Sequence, residues 1–308
     1  MRRAIALLSL LLFLLAGCDT EEDPADILPD SSGELTDGFC LVSGGQVLYT
    51  HSDINYYDFG AHLVYLKPPV TTSILMTVDE LSVYAGGEEI YSLTTQPGSA
   101  SPEPEEPLIY ADLVSYAENI LPIAWLQSYE EMQADDDPRE DPRIVDALTN
   151  YEQYREGLQC EILSVHYVSA QEVVVELKLY NGDPVNYYYL DPGRMGPGLF
   201  HFFTSGLLVW DEDRNKTYES REDGVEPEQW DSWDPAWLSL LESGASDTLS
   251  IEYNRFQVVP PGTYPVFFTF PGLSYQVDWE DLEQPNGRIW LGELKLQSEV
   301  LVEEDWGI

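Results

Sequence analysis

Apolar and polar residues alternate in short runs along most of this chain. Alternation over about four to eight residues marks a strand with one buried face. Such runs lie at 39–42, 46–49, 61–66, 81–84 and 89–93. They return at 161–168, 172–180, 206–210, 217–219, 249–253, 264–270 and 289–296. Turn residues separate them: Gly44-Gly45 in the first pair, Ala85-Gly86-Gly87-Glu88 in a predicted hairpin, and Asp211 to Lys216 in another. One segment has a helical period. Ile144, Leu148, Tyr151 and Tyr154 share a face and Gly157 follows, which predicts a helix over 143–156. The pattern predicts a mainly β protein: a β-rich N-terminal domain with a little helix over 38–157, then an antiparallel β-sandwich over 158–308.

The first 37 residues lack this alternation. Met1-Arg2-Arg3 is basic, and Ala4 to Leu15 is apolar except for Ser9. A bilayer needs roughly 20 apolar residues, so this run is too short to span one and reads as a signal peptide, residues 1–17. It ends in Leu15-Ala16-Gly17-Cys18, which resembles the lipobox of bacterial lipoproteins. That resemblance implies cleavage before Cys18, lipidation of its thiol and new amino end, and export to the cell envelope. The partner it implies is a membrane, reached through the N-terminal lipid. Residues 18–37 are acidic and rich in Pro, Ser and Gly, the composition of a disordered tether. Within it, Asp19-Thr20-Glu21-Glu22-Asp23 resembles a lipoprotein sorting signal, which implies either retention at the inner membrane or, the expectation here, delivery to the outer membrane and its surface.

Charge narrows the partners. The chain carries 56 acidic against 14 basic residues, a formal −42. Such a surface repels phosphate backbones, so nucleic acid is not an expected partner. It also repels itself, and salt should relieve that repulsion. Beyond Cys18 the cysteines are Cys40 and Cys160. Export permits a disulfide between them, stapling one domain to the other, but two buried free thiols are the expectation.

A second resemblance covers roughly 172–270. Leu177-Lys178-Leu179-Tyr180-Asn181 is similar to the opening of many bacterial immunoglobulin-like domains. Leu241 to Asp247, a strand, and Val259-Pro260-Pro261-Gly262-Thr263-Tyr264 resemble their closing pattern. The order of features is similar to that of intracellular proteinase inhibitor-like domains. It implies an immunoglobulin-like sandwich, and inhibition only as a further alternative. The segments 193–204 and 225–240 depart from the pattern. The whole chain also resembles uncharacterised envelope lipoproteins.

Candidate chemistry is sparse. Asp211, Asp213 and Asn215 place oxygens at alternate positions, as calcium loops do, with Glu222 at the twelfth place. Lys216 stands where such a loop needs Gly, so a solvated turn competes with a cation site. Trp230, Trp233 and Trp237 recur at a spacing that suits either a sugar platform or a helix facing a core. Tyr187-Tyr188-Tyr189 reads as a strand, and Leu190 to Gly198 as an ordered loop. Arg194 in that loop is a candidate ligand contact or a structural ion pair. Asp135-Asp136-Asp137 reads as a charged loop. None of His51, His62, His166 and His201 has a ligand partner at helix spacing, and HExxH and GxSxG are absent. No catalytic residue and no cofactor is expected. The expectation is a non-enzymatic, lipid-anchored envelope protein that binds or assembles with another envelope protein. A carbohydrate-binding surface lipoprotein is the alternative.

Overall fold

In the computed structural model the described residues are 34–96, 107–110, 116–125, 137–204, 206–227, 233–273, 277 and 279–303. Cys18 and residues 1–17, Trp230, Asp135, Asp136 and most of the Pro-rich spacer at 96–107 lie outside them.

The N-terminal half builds one nine-stranded sheet. Its strands are β1 (Cys40–Ser43), β2 (Gln46–Tyr49), β3 (Ile54–Asp58), β4 (Leu63–Leu66), β5 (Glu80–Ala85), β6 (Glu88–Gln96), β7 (Leu108–Tyr110), β8 (Ile120–Ala124) and β9 (Tyr154–Arg155). The order is β2-β1-β5-β6-β7-β8-β4-β3-β9. β6 and β7 run parallel, as do β3 and β9. Leu41 near one end and Tyr57 near the other enter the same buried cluster, so the sheet curls over its own core.

Helix α1 (Pro142–Asn150) packs Ile144, Ala147 and Leu148 into that core. Asp141 caps it, accepting from the Arg143 N–H at 2.9 Å, and Pro142 fits the first turn. The helix stops well short of the predicted Glu156. The Tyr57 N–H donates to the Gln153 carbonyl at 2.8 Å, and Tyr154 pairs with Tyr57. The sheet has claimed this backbone, and Glu152 turns the chain with a left-handed φ of 60°.

The C-terminal half is a sandwich. Its strands are β10 (Leu158–Ser169), β11 (Glu172–Asn181), β12 (Tyr187–Leu190), β13 (Leu207–Asp211), β14 (Lys216–Glu219), β15 (Leu238–Leu241), β16 (Ser246–Tyr253), β17 (Gly262–Phe270), β18 (Glu283–Gln284), β19 (Gly287–Ile289) and β20 (Leu294–Val302). One sheet is β10-β11-β16 and the facing one β14-β13-β17-β20. Strand alternation fills the space between. Val173, Val175, Leu177 and Leu179 of β11 are buried with Val266, Phe268 and Phe270 of β17. A smaller sheet, β15-β12-β19-β18, lies beside them, with β12 and β19 parallel.

Two expected elements differ. The predicted strand over 289–296 is split between β19 and β20, because the Trp290 N–H donates to the Tyr188 carbonyl and its ring turns inward. The predicted loop 190–198 holds two short helices, α2 (Pro192–Met195) and α3 (Pro197–Phe200). Asp191 caps the first, accepting from the Gly193 N–H at 2.8 Å.

The two cores meet. Tyr56, Leu63, Tyr65 and Ile120 from the N-terminal sheet belong to the buried cluster of the sandwich. Tyr56 stacks on Tyr65 at 4.2 Å, and the Arg288 guanidinium lies 4.1 Å from the Tyr56 ring centroid. The chain crosses from one core to the other at Glu156 and Gly157. Their N–H groups donate to the Asp183 carboxylate at 2.8 and 3.0 Å. Gly157 is required here twice over: its φ is 77°, and a Cβ would collide with Asp58 Oδ1.

Candidate functional site

A cleft of about 610 Å³ opens where the two halves join. That volume suits a small ligand. Phe59 and Gly60 follow β3, Glu140 comes from a turn before α1, and Tyr154 and Glu156 come from β9 and its exit. β10 brings Leu158 to Glu161, β11 brings Lys178 and Tyr180, and β20 brings Leu294 to Leu296. Strand geometry explains Lys178 and Tyr180. Leu177 and Leu179 point into the sandwich, so the residues between and after them point out. The register sets Lys178 opposite Glu161 and Tyr180 opposite Gln159.

The lysines make this cleft unlike the rest of the surface. The chain has four: Lys67, Lys178, Lys216 and Lys295. Lys67 donates to the Ser52 carbonyl at 2.9 Å, and Lys216 sits 4.0 Å from the Tyr218 ring centroid. Lys178 and Lys295 both line the cleft, and neither forms an ion pair or side-chain hydrogen bond among the described residues. Partial burial pushes the Lys295 pKa down, with Glu293 opposing. Glu140, Glu156 and Glu161 face the same space, with Glu156 accepting from Gln159 Nε2 at 2.6 Å. A ligand carrying one sign of charge would meet opposition here. A body with an apolar or aromatic face and both signs of charge fits the lining of Phe59, Tyr154 and Tyr180 plus two lysines and three glutamates.

Beside the cleft lies a second group. His62 sits in the turn between β3 and β4 with φ 52°, 7% exposed. Its Nδ1 hydrogen-bonds the Tyr57 hydroxyl at 3.1 Å. Its Nε2 lies 3.9 Å from Asp137 Oδ2. The donor atoms of His62, Asp137 and Glu140 all fall within 4.8 Å of one another. Arg139 holds Asp137 through Nη2 at 2.6 Å and also donates to the Ile123 carbonyl at 2.8 Å. Burial, and secondarily Arg139, drive the His62 pKa well below its ordinary value, so the ring is neutral.

A third polar pair is buried under the cleft. Asp58 accepts from the Trp290 indole N–H at 3.1 Å and the Ala61 N–H at 3.2 Å. Burial lifts its pKa to about 7. Nearby, Asp183 also accepts from the Tyr187 hydroxyl at 2.6 Å. Neither Asp58 nor Asp183 lines the cleft, so they brace its walls.

The residues singled out from sequence are not brought together. Asp211 is buried and committed to Arg214, at 2.6 Å to Nη1 and 3.1 Å to the backbone N–H. Asp213 and Asn215 are exposed in the hairpin turn. Trp233 and Trp237 are half-buried against the sandwich core. Pro235 opens a single 3₁₀ turn, Pro235–Trp237, and a helix cannot run through it. Arg194 is exposed, 3.8 Å from Asp191, and is not part of the cleft. Cys40 in β1 and Cys160 in β10 are both free thiols, so the optional disulfide is not formed. No helix among the described residues is long and apolar enough to cross a membrane. Neither a protein-family model nor a curated protein matches the chain.

Sequence reasoning missed the cleft and the His62 group. Lys178 and Lys295 are 117 positions apart, and His62 and Asp137 are 75 apart, so no local spacing links them. The one available signal was scarcity: in a chain with four lysines, an outward lysine in the middle of a strand was worth following.

Proposed function

We propose that this is a lipid-anchored, non-enzymatic binding protein of the bacterial cell envelope, with the cleft between its two cores as the ligand site. The observation that carries the binding role is the pair Lys178 and Lys295. Two of four lysines, in a chain with 56 acids, face one cleft without an ion pair among the described residues. A cation left without an internal partner costs little in solvent, but it is a poised partner for an external carboxylate or phosphate. Glu140, Glu156 and Glu161 favour a ligand that also carries an amine or several hydroxyls. The envelope address rests on Leu15 to Cys18 and the acidic stretch that follows.

The test is capture in intact cells with a photo-reactive group in place of Tyr180, an exposed wall of the cleft. The wild-type anchor is compared with Cys18→Ala. One dominant adduct, reduced in a Lys178→Gln/Lys295→Gln background and lost with the anchor, is the expected result. Adducts that ignore both lysines would overturn the cleft as the binding site. Turnover by the purified protein on a broad glycoside, ester and peptide panel would overturn the non-enzymatic reading.

A further inference from the structure

We propose that His62, Asp137 and Glu140 bind one divalent transition-metal ion, with Zn²⁺ the best match. The inference is separate from the ligand reading above and stands or falls alone.

The imidazole carries the argument. A histidine that ligates a metal through one nitrogen normally engages the other in a hydrogen bond, which fixes the ring and its tautomer. His62 has that arrangement: Tyr57 Oη holds Nδ1 at 3.1 Å, and Tyr57 is itself fully buried. The tautomer with Nδ1–H donating to Tyr57 leaves the Nε2 lone pair on the side of Asp137 and Glu140, and ion binding would select it. Its nearest acidic atom, Asp137 Oδ2, is 3.9 Å away, too far for a hydrogen bond. Nε2 has no hydrogen-bond partner among the described residues. A cation between Nε2 and the carboxylates would give this buried ring and both acids a shared partner.

The spacing fits such a cation. With ligand arms of roughly 2.0–2.2 Å at the tetrahedral angle, two donors on one ion stand about 3.3–3.6 Å apart, so the 3.9 Å pair need close by only a few tenths of an ångström. Glu140 is exposed and must close the remaining gap, since the three donors lie within 4.8 Å. One nitrogen and two carboxylates leave an open position, the pattern of zinc sites that keep a fourth ligand from solvent or substrate. Glu140 also lines the cleft, so that position faces the space where a ligand would enter. Arg139 tempers the affinity. Its guanidinium stays on Asp137 and leaves the group with about one net negative charge, which predicts micromolar rather than nanomolar binding.

The experiment is Zn²⁺ titration of the detergent-solubilised full chain by calorimetry, in 150 mM NaCl with millimolar Mg²⁺ to saturate the acidic surface. Ring-¹⁵N labelling of histidine adds a second readout, as only four histidines are present. One saturable site is expected, with the His62 Nε2 resonance moving on binding. Glu140→Gln, an exposed change that should leave the metal-free melting temperature alone, should weaken binding at least roughly ten-fold. His62→Gln should abolish it. Binding that is unchanged in Glu140→Gln and leaves the His62 resonance in place would overturn the site. So would the absence of saturation below millimolar Zn²⁺.

Discussion

The indole of Trp290 donates to Asp58 at 3.1 Å although 232 residues separate them, and both side chains are sealed from solvent. Asp58 closes β3 in the N-terminal sheet, and Trp290 follows β19 in the sandwich half. The bond therefore ties the two cores together through a carboxyl group whose pKa burial has raised from 3.8 to about 7.

That shift has a definite sign. The folded state holds the proton more tightly than the unfolded chain does, so the stabilising contribution is complete below about pH 3.8. It is lost as pH rises toward about 7. Other carboxylates add their own slopes, so the measurement is a difference. Urea unfolding of wild type and Asp58→Asn is compared at pH 5, 6, 7 and 8. The wild type should lose ground to the variant by up to about 1.4 kcal/mol per unit between pH 5 and 7. A gap that stays constant over that range would mean that Asp58 does not titrate there.

Gly157 and Gly86 both adopt positive φ, at 77° and 63°, but only Gly157 has a neighbour in the way. Gly86→Ala in its open hairpin should cost about 1 kcal/mol, the backbone penalty alone. Gly157→Ala adds a clash with Asp58 and disturbs the N–H groups on Asp183, and should cost 3 kcal/mol or more. Equal melting temperatures for the two variants would contradict this account of the junction.

Thiol chemistry should report both free cysteines. Cys40 is buried, and burial pushes the Cys160 thiol up to about 12. A Cys18→Ala protein should therefore react slowly with a thiol-specific reagent at pH 7.5 when folded, and release two equivalents in urea. Zero equivalents in urea would mean that a disulfide forms after all.

Salt should stabilise the fold. With a net charge of −42, self-repulsion is screened as the Debye length falls from roughly 30 Å at 0.01 M to 3 Å at 1 M. The melting temperature should rise by several degrees between low salt and 0.5 M NaCl. A flat response would show that the acids are spaced widely enough not to interact.

Much of the β architecture was legible because alternation is local. The hairpin around Gly86-Gly87 and the turn at 211–216 stand where their residues put them. The helix after Pro142 was legible only at its start. The spacing of Ile144 and Leu148 marks it, but its end depends on Gln153 and Tyr154 being drawn to β3, a partner about a hundred residues earlier. Trp233 and Trp237 do pack against the core, but through a 3₁₀ turn and not a helix, since Pro235 lies between them. The cleft and the His62 group were not legible, since each is assembled by long-range sheet pairing that no window of sequence contains.

β11 divides its labour between its two faces. Val173, Val175, Leu177 and Leu179 hold the sandwich, while the interleaved Lys178 and Tyr180 look onto the cleft. Substitution can rewrite the outward row and leave the inward row untouched. Changes at 178 and 180 would thus alter the lining of the cleft on a frame that does not depend on them.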